Sequence, residues 1–181
     1  MWQLSAYIWF ALVSLVPLPA DARSPAEGAS LVPLNADLQL CGSGVLEVWG
    51  FLEVGHSFLY RPDCSRTWDL FLSEVRYMEF RYDRAIPAEA FRESALTLLV
   101  RQGFGDSPAL EAFHQAYRDA KAGDTYALYY SPEAGLALYL NGTHLGTLSD
   151  PVMAEAYFAI WLGHQPFDED LKTALLGKKS R

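Results

Sequence analysis

Basic residues are scarce in this chain: 14 lysines and arginines stand against 22 acids, a net charge of −8 over 181 residues. That balance argues against nucleic acid or an anionic membrane surface as partner, since both carry negative charge. No run of Lys and Arg overrides it, and Lys178, Lys179 and Arg181 form only a small basic tail. Histidine is scarcer still. His56, His114, His144 and His164 stand at no metal-binding spacing from one another, from cysteine or from a carboxylate. No G-x-S-x-G, P-loop or G-x-G-x-x-G occurs, and Gly42-Ser43-Gly44 is too short for a phosphate cradle and reads as a bend in a sheet. The expectation is a protein with no metal and no cofactor. Repeats and low-complexity blocks are also missing, so one domain is the simplest division.

What is present is apolar and aromatic. Hydrophobic residues make up 51% and aromatics 14% of the chain, enough for a sizeable core. Ala6 to Val16 is an apolar run broken only by Ser14, ended by Pro17 and Pro19 and followed by the A-x-A site Ala20-Asp21-Ala22. It is shorter than the roughly 20 residues of a membrane span. The expected organisation is a signal peptide over 1–22, a flexible leader over 23–37, a domain over 38–177 and a tail over 178–181. An uncleaved N-terminal anchor is the alternative to the signal peptide. Export implies a periplasmic or secreted protein with no stable membrane span after cleavage. Cys41 and Cys64 are the two cysteines. In an oxidising compartment they form a disulfide, with two free buried thiols or thiol chemistry as the other readings.

The pattern along the domain is α+β. Leu38 to Tyr60 is strand-rich, with glycines at 42, 44, 50 and 55 as bend points. Glu74 to Tyr82 predicts a third strand in which Tyr77, Glu79 and Arg81 alternate with Arg76, Met78, Phe80 and Tyr82, so neither face is cleanly apolar. Pro87 to Gln102 reads as a helix ended by Gly103, and Ser107-Pro108 opens a second with Leu110, Phe113, Tyr117 and Ala120 on one stripe. His114, beside that stripe, is expected at the surface. Tyr126 to Tyr130, Leu136 to Leu140 and Thr143 to Leu148 read as strands. Asn141-Gly142 is the preferred type I′ hairpin pair, a better account of these residues than the glycosylation sequon they also form with Thr143. Asp150-Pro151 opens a buried helix ended by Gly163, and Asp168 caps a last short one.

Chemistry is thinly marked. Asp168, Glu169 and Asp170 are explained by capping and the helix dipole. The best polar constellation is Arg81 with Tyr77, Tyr82, Tyr129 and Tyr139, because Arg and Tyr on a curved sheet suit a carboxylate or phenolate. The plainer reading is Arg81 paired with Glu79 or Glu53 and the tyrosines as core and rim.

Several segments together carry a resemblance. Trp49-Gly50-Phe51 through Leu59-Tyr60, Glu79-Phe80-Arg81-Tyr82, Tyr139-Leu140-Asn141-Gly142, Leu145 to Pro151, Tyr157 to Gly163 and Leu175-Leu176-Gly177 resemble bacterial exported chalcone isomerase-like proteins. The resemblance spans about Leu38 to Gly177. It implies an open-faced β-sandwich, a curved antiparallel sheet covered by helices on one side. Plant enzymes of that fold close a chalcone to a flavanone without a cofactor, and non-catalytic relatives bind fatty acids between sheet and helices. The plant catalytic set does not carry over. Val45, Leu46 and Glu47 follow Gly44 where those enzymes have an Arg. Pro87 to Gln102 holds neither their Tyr nor their Asn. Ala154 stands where they have Ser or Thr, and no Ser or Thr occurs from Pro151 to Gly163. The resemblance therefore implies a ligand-binding protein for a fatty or phenolic acid, with no catalytic residue assigned. A lyase or isomerase with a different active set, or a partner-binding envelope protein, is the alternative.

Overall fold

The computed structural model of the protein describes residues 38–69, 74–105 and 107–178. The expected signal peptide, the leader and the tail after Lys178 lie outside the described residues. Six strands form one antiparallel sheet in chain order: β1 Gln39–Val48, β2 Leu52–Arg61, β3 Arg76–Tyr82, β4 Thr125–Ser131, β5 Gly135–Leu140 and β6 Thr143–Leu148. Five helices are seen among the described residues: α1 Ala88–Arg101, α2 Pro108–His114, α3 Pro151–Ala156, α4 Ala159–Leu162 and α5 Glu169–Leu175. None of the described helices is long and apolar enough to cross a membrane.

Local chemistry sets the joints. Asn141 and Gly142 both adopt positive φ, 50° and 78°, as a type I′ turn between β5 and β6 requires. Ser107, Asp150 and Asp168 each accept a hydrogen bond from the backbone N–H three residues on, capping α2, α3 and α5. Register shifts interrupt the β1–β2 ladder at Leu40/Gly42 and Leu46/Glu47, and such bulges bend a strand and increase its twist.

Strand alternation assigns the two sheet faces. Met78, Phe80 and Tyr82 of β3, Tyr126, Leu128 and Tyr130 of β4, and Leu136 and Leu138 of β5 belong to the large core that the helices cover. Helix α5 packs on β1 and β2, α2 on β6, and α3 on β5 and β6, while α1 meets α4. On the other face Tyr77 and Ala127 form a small cluster with Leu38, Tyr60, Tyr129 and Tyr139. Cys41 and Cys64 are joined by a disulfide, with Cα atoms 5.1 Å apart, which ties β1 to the segment after β2.

Three expectations are corrected. His114 is buried, 5% exposed, because α2 ends there and its last turn sets the ring among Phe113, Tyr117 and Tyr157. Tyr117 and Ala120 lie beyond α2. Both still reach the core, and Ala120 also pairs with Ile86 in an isolated antiparallel bridge. The helix expected from Asp150 to Gly163 is broken into α3 and α4. Phe158, Ile160 and Trp161 donate to carbonyls three residues back, a tightened turn that buries both Tyr157 and Phe158.

Candidate functional site

A cavity of about 160 Å³ lies between the sheet and the helices α1 and α4. Its sheet wall is Leu46, Val48, Val54, Phe80, Leu128 and Leu138, and α1 supplies Phe91, Ser94, Ala95 and Leu98. Ile160, Trp161 and Phe167 close the rest of the helix side. No charged side chain lines it. The wall is apolar because every contributing strand turns an aliphatic or aromatic residue to this face, and α1 contributes its Phe91–Ala95–Leu98 stripe.

The polar groups at the cavity are Ser94, the Trp161 indole and the hydroxyls of Tyr82, Tyr117 and Tyr126, and the last two are hydrogen-bonded. Phe91 stacks on Tyr117 at 5.4 Å between ring centres and meets Tyr82 and Tyr126 edge-on. The Tyr117 and Tyr157 hydroxyls lie 3.0 Å apart in a buried hydrogen bond. The Tyr126 hydroxyl donates to the Arg118 carbonyl and accepts from the Arg118 amide, both at 2.8 Å. Burial raises the pKa of all four: Tyr82 and Tyr157 well above the usual tyrosine value, Tyr117 and Tyr126 also upward. The site resists a buried anion and suits an apolar group.

The sheet divides the five residues expected from sequence. Tyr82 lines the cavity. Tyr77, Tyr129, Tyr139 and Arg81 lie on the opposite face, because positions of odd and even number in β3 point to opposite sides. There Arg81 Nε donates to Glu79 at 2.6 Å and its guanidinium lies 4.5 Å from the Phe58 ring centre. Tyr77 donates to the other Glu79 oxygen at 2.9 Å. This is the pairing with Glu79 that the plainer reading describes, and it brings no cation to the cavity.

A second polar cluster was not legible in the sequence. Arg61 and Arg76 are 2% and 0% exposed. Arg61 Nε donates to Glu74 at 2.7 Å, and both guanidiniums lie over the Trp68 ring. Arg76 also lies over Tyr130 and Phe158. Its signal was the charged residue on the core face of β3, which only a buried partner set accommodates. The groove beside it is lined by Trp68, Gln102 and His164 among others.

Glu53, His56 and Asp83 bring metal-capable donors together at the surface. Glu53 stands 3.8 Å from His56 Nε2 and Asp83 3.5 Å from Nδ1, so a carboxylate faces each ring nitrogen. This is an imidazole held between two acids, and pairs so exposed contribute about 0–1 kcal/mol.

A curved six-stranded antiparallel sheet with helices on one face and an apolar cavity between them defines an open-faced β-sandwich with an internal site. The chain belongs to the chalcone isomerase-like family, whose pattern it matches over residues 28–177. Among solved structures it is similar to a fatty-acid binding protein of Arabidopsis thaliana, with a TM-score of 0.62 and 16% identity, over 77% of this chain and 87% of that one. No curated protein matches it. Where the resemblance placed a Ser or Thr, Ala154 is fully buried and offers no hydroxyl.

Proposed function

We propose that the protein is an exported, non-catalytic member of this family that binds a small amphipathic ligand, a fatty acid or a phenolic acid, in the cavity between sheet and helices. The cavity itself carries the reading: an apolar space of about 160 Å³ with no charged lining is what a hydrocarbon chain or a ring fills. A cavity of about 150 Å³ lined by aliphatic and aromatic side chains accepts benzene in another protein. The fatty-acid binding neighbour with the same fold agrees with it. The disulfide and the N-terminal apolar run agree with an oxidising, periplasmic or extracellular location.

Calorimetric titration with medium-chain fatty acids and phenolic acids tests the proposal. Saturable binding is expected in the wild type. Ala95→Trp, which sends an indole into the space, abolishes it while circular dichroism stays native. No binding of any acid to folded protein, or full binding to folded Ala95→Trp, sinks the idea. Attention then moves to partner binding, for which Trp49 and Phe51 at the β1–β2 turn, 80% and 78% exposed, are the available anchors.

A further inference from the structure

The ligand-binding reading leaves open which end of an amphipathic molecule enters, and the structure assigns an answer: we infer that the apolar end goes in and the carboxylate stays at the mouth, beside Arg101. This rests on the proposed function above.

Three observations carry it. First, the interior offers a carboxylate no cation, with the Tyr82 hydroxyl and Ser94 at its edge as uncommitted donors. No Lys, Arg or His lines the cavity. The hydroxyls of Tyr117, Tyr126 and Tyr157 are already hydrogen-bonded to one another or to backbone. A buried carboxylate without a cation costs several kcal/mol or takes up a proton. Second, the cavity adjoins an open groove of about 400 Å³ along α1, and the two share Ser94, Leu98 and Phe167 in their walls. Ser94 is exposed and marks the way out. Third, charge appears at that groove, on Glu93 and Arg101. Ser94, Leu98 and Arg101 follow one another at spacings of four and three, so they share a face of α1 running from the mouth to the helix end. Arg101 is exposed in the last turn, where a cation is favoured. The small interior points the same way: it holds a ring or a short chain, and the remainder of a longer molecule lies along the groove.

The test uses the full chain with [1-13C]octanoate and methyl octanoate as probes. In the head-out arrangement the bound carboxyl carbon titrates in the ordinary carboxylate range and is broadened by a soluble paramagnetic reagent. Arg101→Gln then weakens octanoate about two- to fivefold, the range of one exposed ion pair, and leaves the ester unchanged. Ala95→Trp abolishes both. A carboxyl signal shielded from the reagent and titrating well above the ordinary range overturns the inference, because the acid is then buried in its neutral form. Equal weakening of acid and ester by Arg101→Gln overturns it as well. If neither probe binds the folded wild type, the ligand-binding reading itself has failed, an outcome distinct from a reversed orientation.

Discussion

Arg76 shows how single residues settle into this fold against their type. Its guanidinium has no solvent contact and is enclosed by the rings of Trp68, Tyr130 and Phe158 at 5.1–5.4 Å. Burial pushes its pKa down, and Glu155 and Glu74 push it back up. The strand pattern showed charge on both faces of β3, and both faces prove to bury it, with Glu79 held by Tyr77 and Arg81 on the far side. The pattern did not show the partners, because Trp68 and Phe158 come from segments far apart in the chain. The buried tyrosines yield the prediction at this scale. Tyr82, Tyr117, Tyr126 and Tyr157 have pKa values raised first by burial. Above about pH 10 the unfolded chain releases these protons while the native protein keeps them, so stability falls as pH rises, by at most about 1.4 kcal/mol per pH unit for each group until its own folded pKa is reached. This effect is absent below about pH 10 and grows as pH rises above it. Absorbance at 295 nm followed with circular dichroism checks this: part of the tyrosinate signal appears only as the fold collapses. Complete, non-cooperative tyrosine titration with the fold intact contradicts it.

Elements were the most legible level. Caps, the type I′ hairpin and the strand alternation are local chemistry, and Ser107, Asp150, Asp168 and Asn141-Gly142 act where their residue types say they should. The expectation failed where tertiary packing overrides local pattern, as at the break between α3 and α4. The contact between α5 and β1 depends on the glycines of β1, Gly42 against the α5 backbone and Gly44 against the Leu171 and Ala174 side chains. A Cβ on Gly42 stands 2.1 Å from the Ala174 carbonyl oxygen and 2.5 Å from that of Leu175, both backbone atoms of or beside α5. No side-chain rotation relieves that overlap. Gly42→Ala is expected to lift α5, expose Leu171 and Leu175, and cost about 1–3 kcal/mol. Gly105→Ala, where no atom lies within 4 Å of the new Cβ, is near neutral. Chemical denaturation gives both values, and hydrogen exchange of α5 locates the loss. Equal stability of the two variants refutes the clamp.

At the scale of the whole molecule, each strand pairs with its chain neighbours, so the sheet is a meander; the Asn141-Gly142 hairpin was the one pairing the sequence marked locally. The cavity is different. Its wall draws on β1 to β5, α1 and the segment from Ile160 to Phe167, and no single stretch carries its signature. The same distribution explains why Arg81 looked suitable from its own strand: face and charge are visible locally, but what lies opposite is not. The two ends of the domain are joined at the far end of β1 from the cavity. There α5 seats on Gly42, and Cys41 is bonded to Cys64, 23 residues away. Cys41 stands five positions before Leu46, the first cavity residue of β1, about 16 Å along an extended strand. The disulfide therefore serves the fold and not the site. A loop of this length contributes about 3 kcal/mol. Cys41→Ser with Cys64→Ser is expected to lower Tm by about 10 °C in a domain of this size. Ligand affinity below the new Tm stays within about twofold. Wild type in reducing agent behaves as the double variant does. A Tm indifferent to reduction means the bond adds no stability. A large loss of affinity at unchanged fold means that the end of the sheet bearing α5 and the end bearing the cavity are coupled, and that the cavity is not set by its own walls alone.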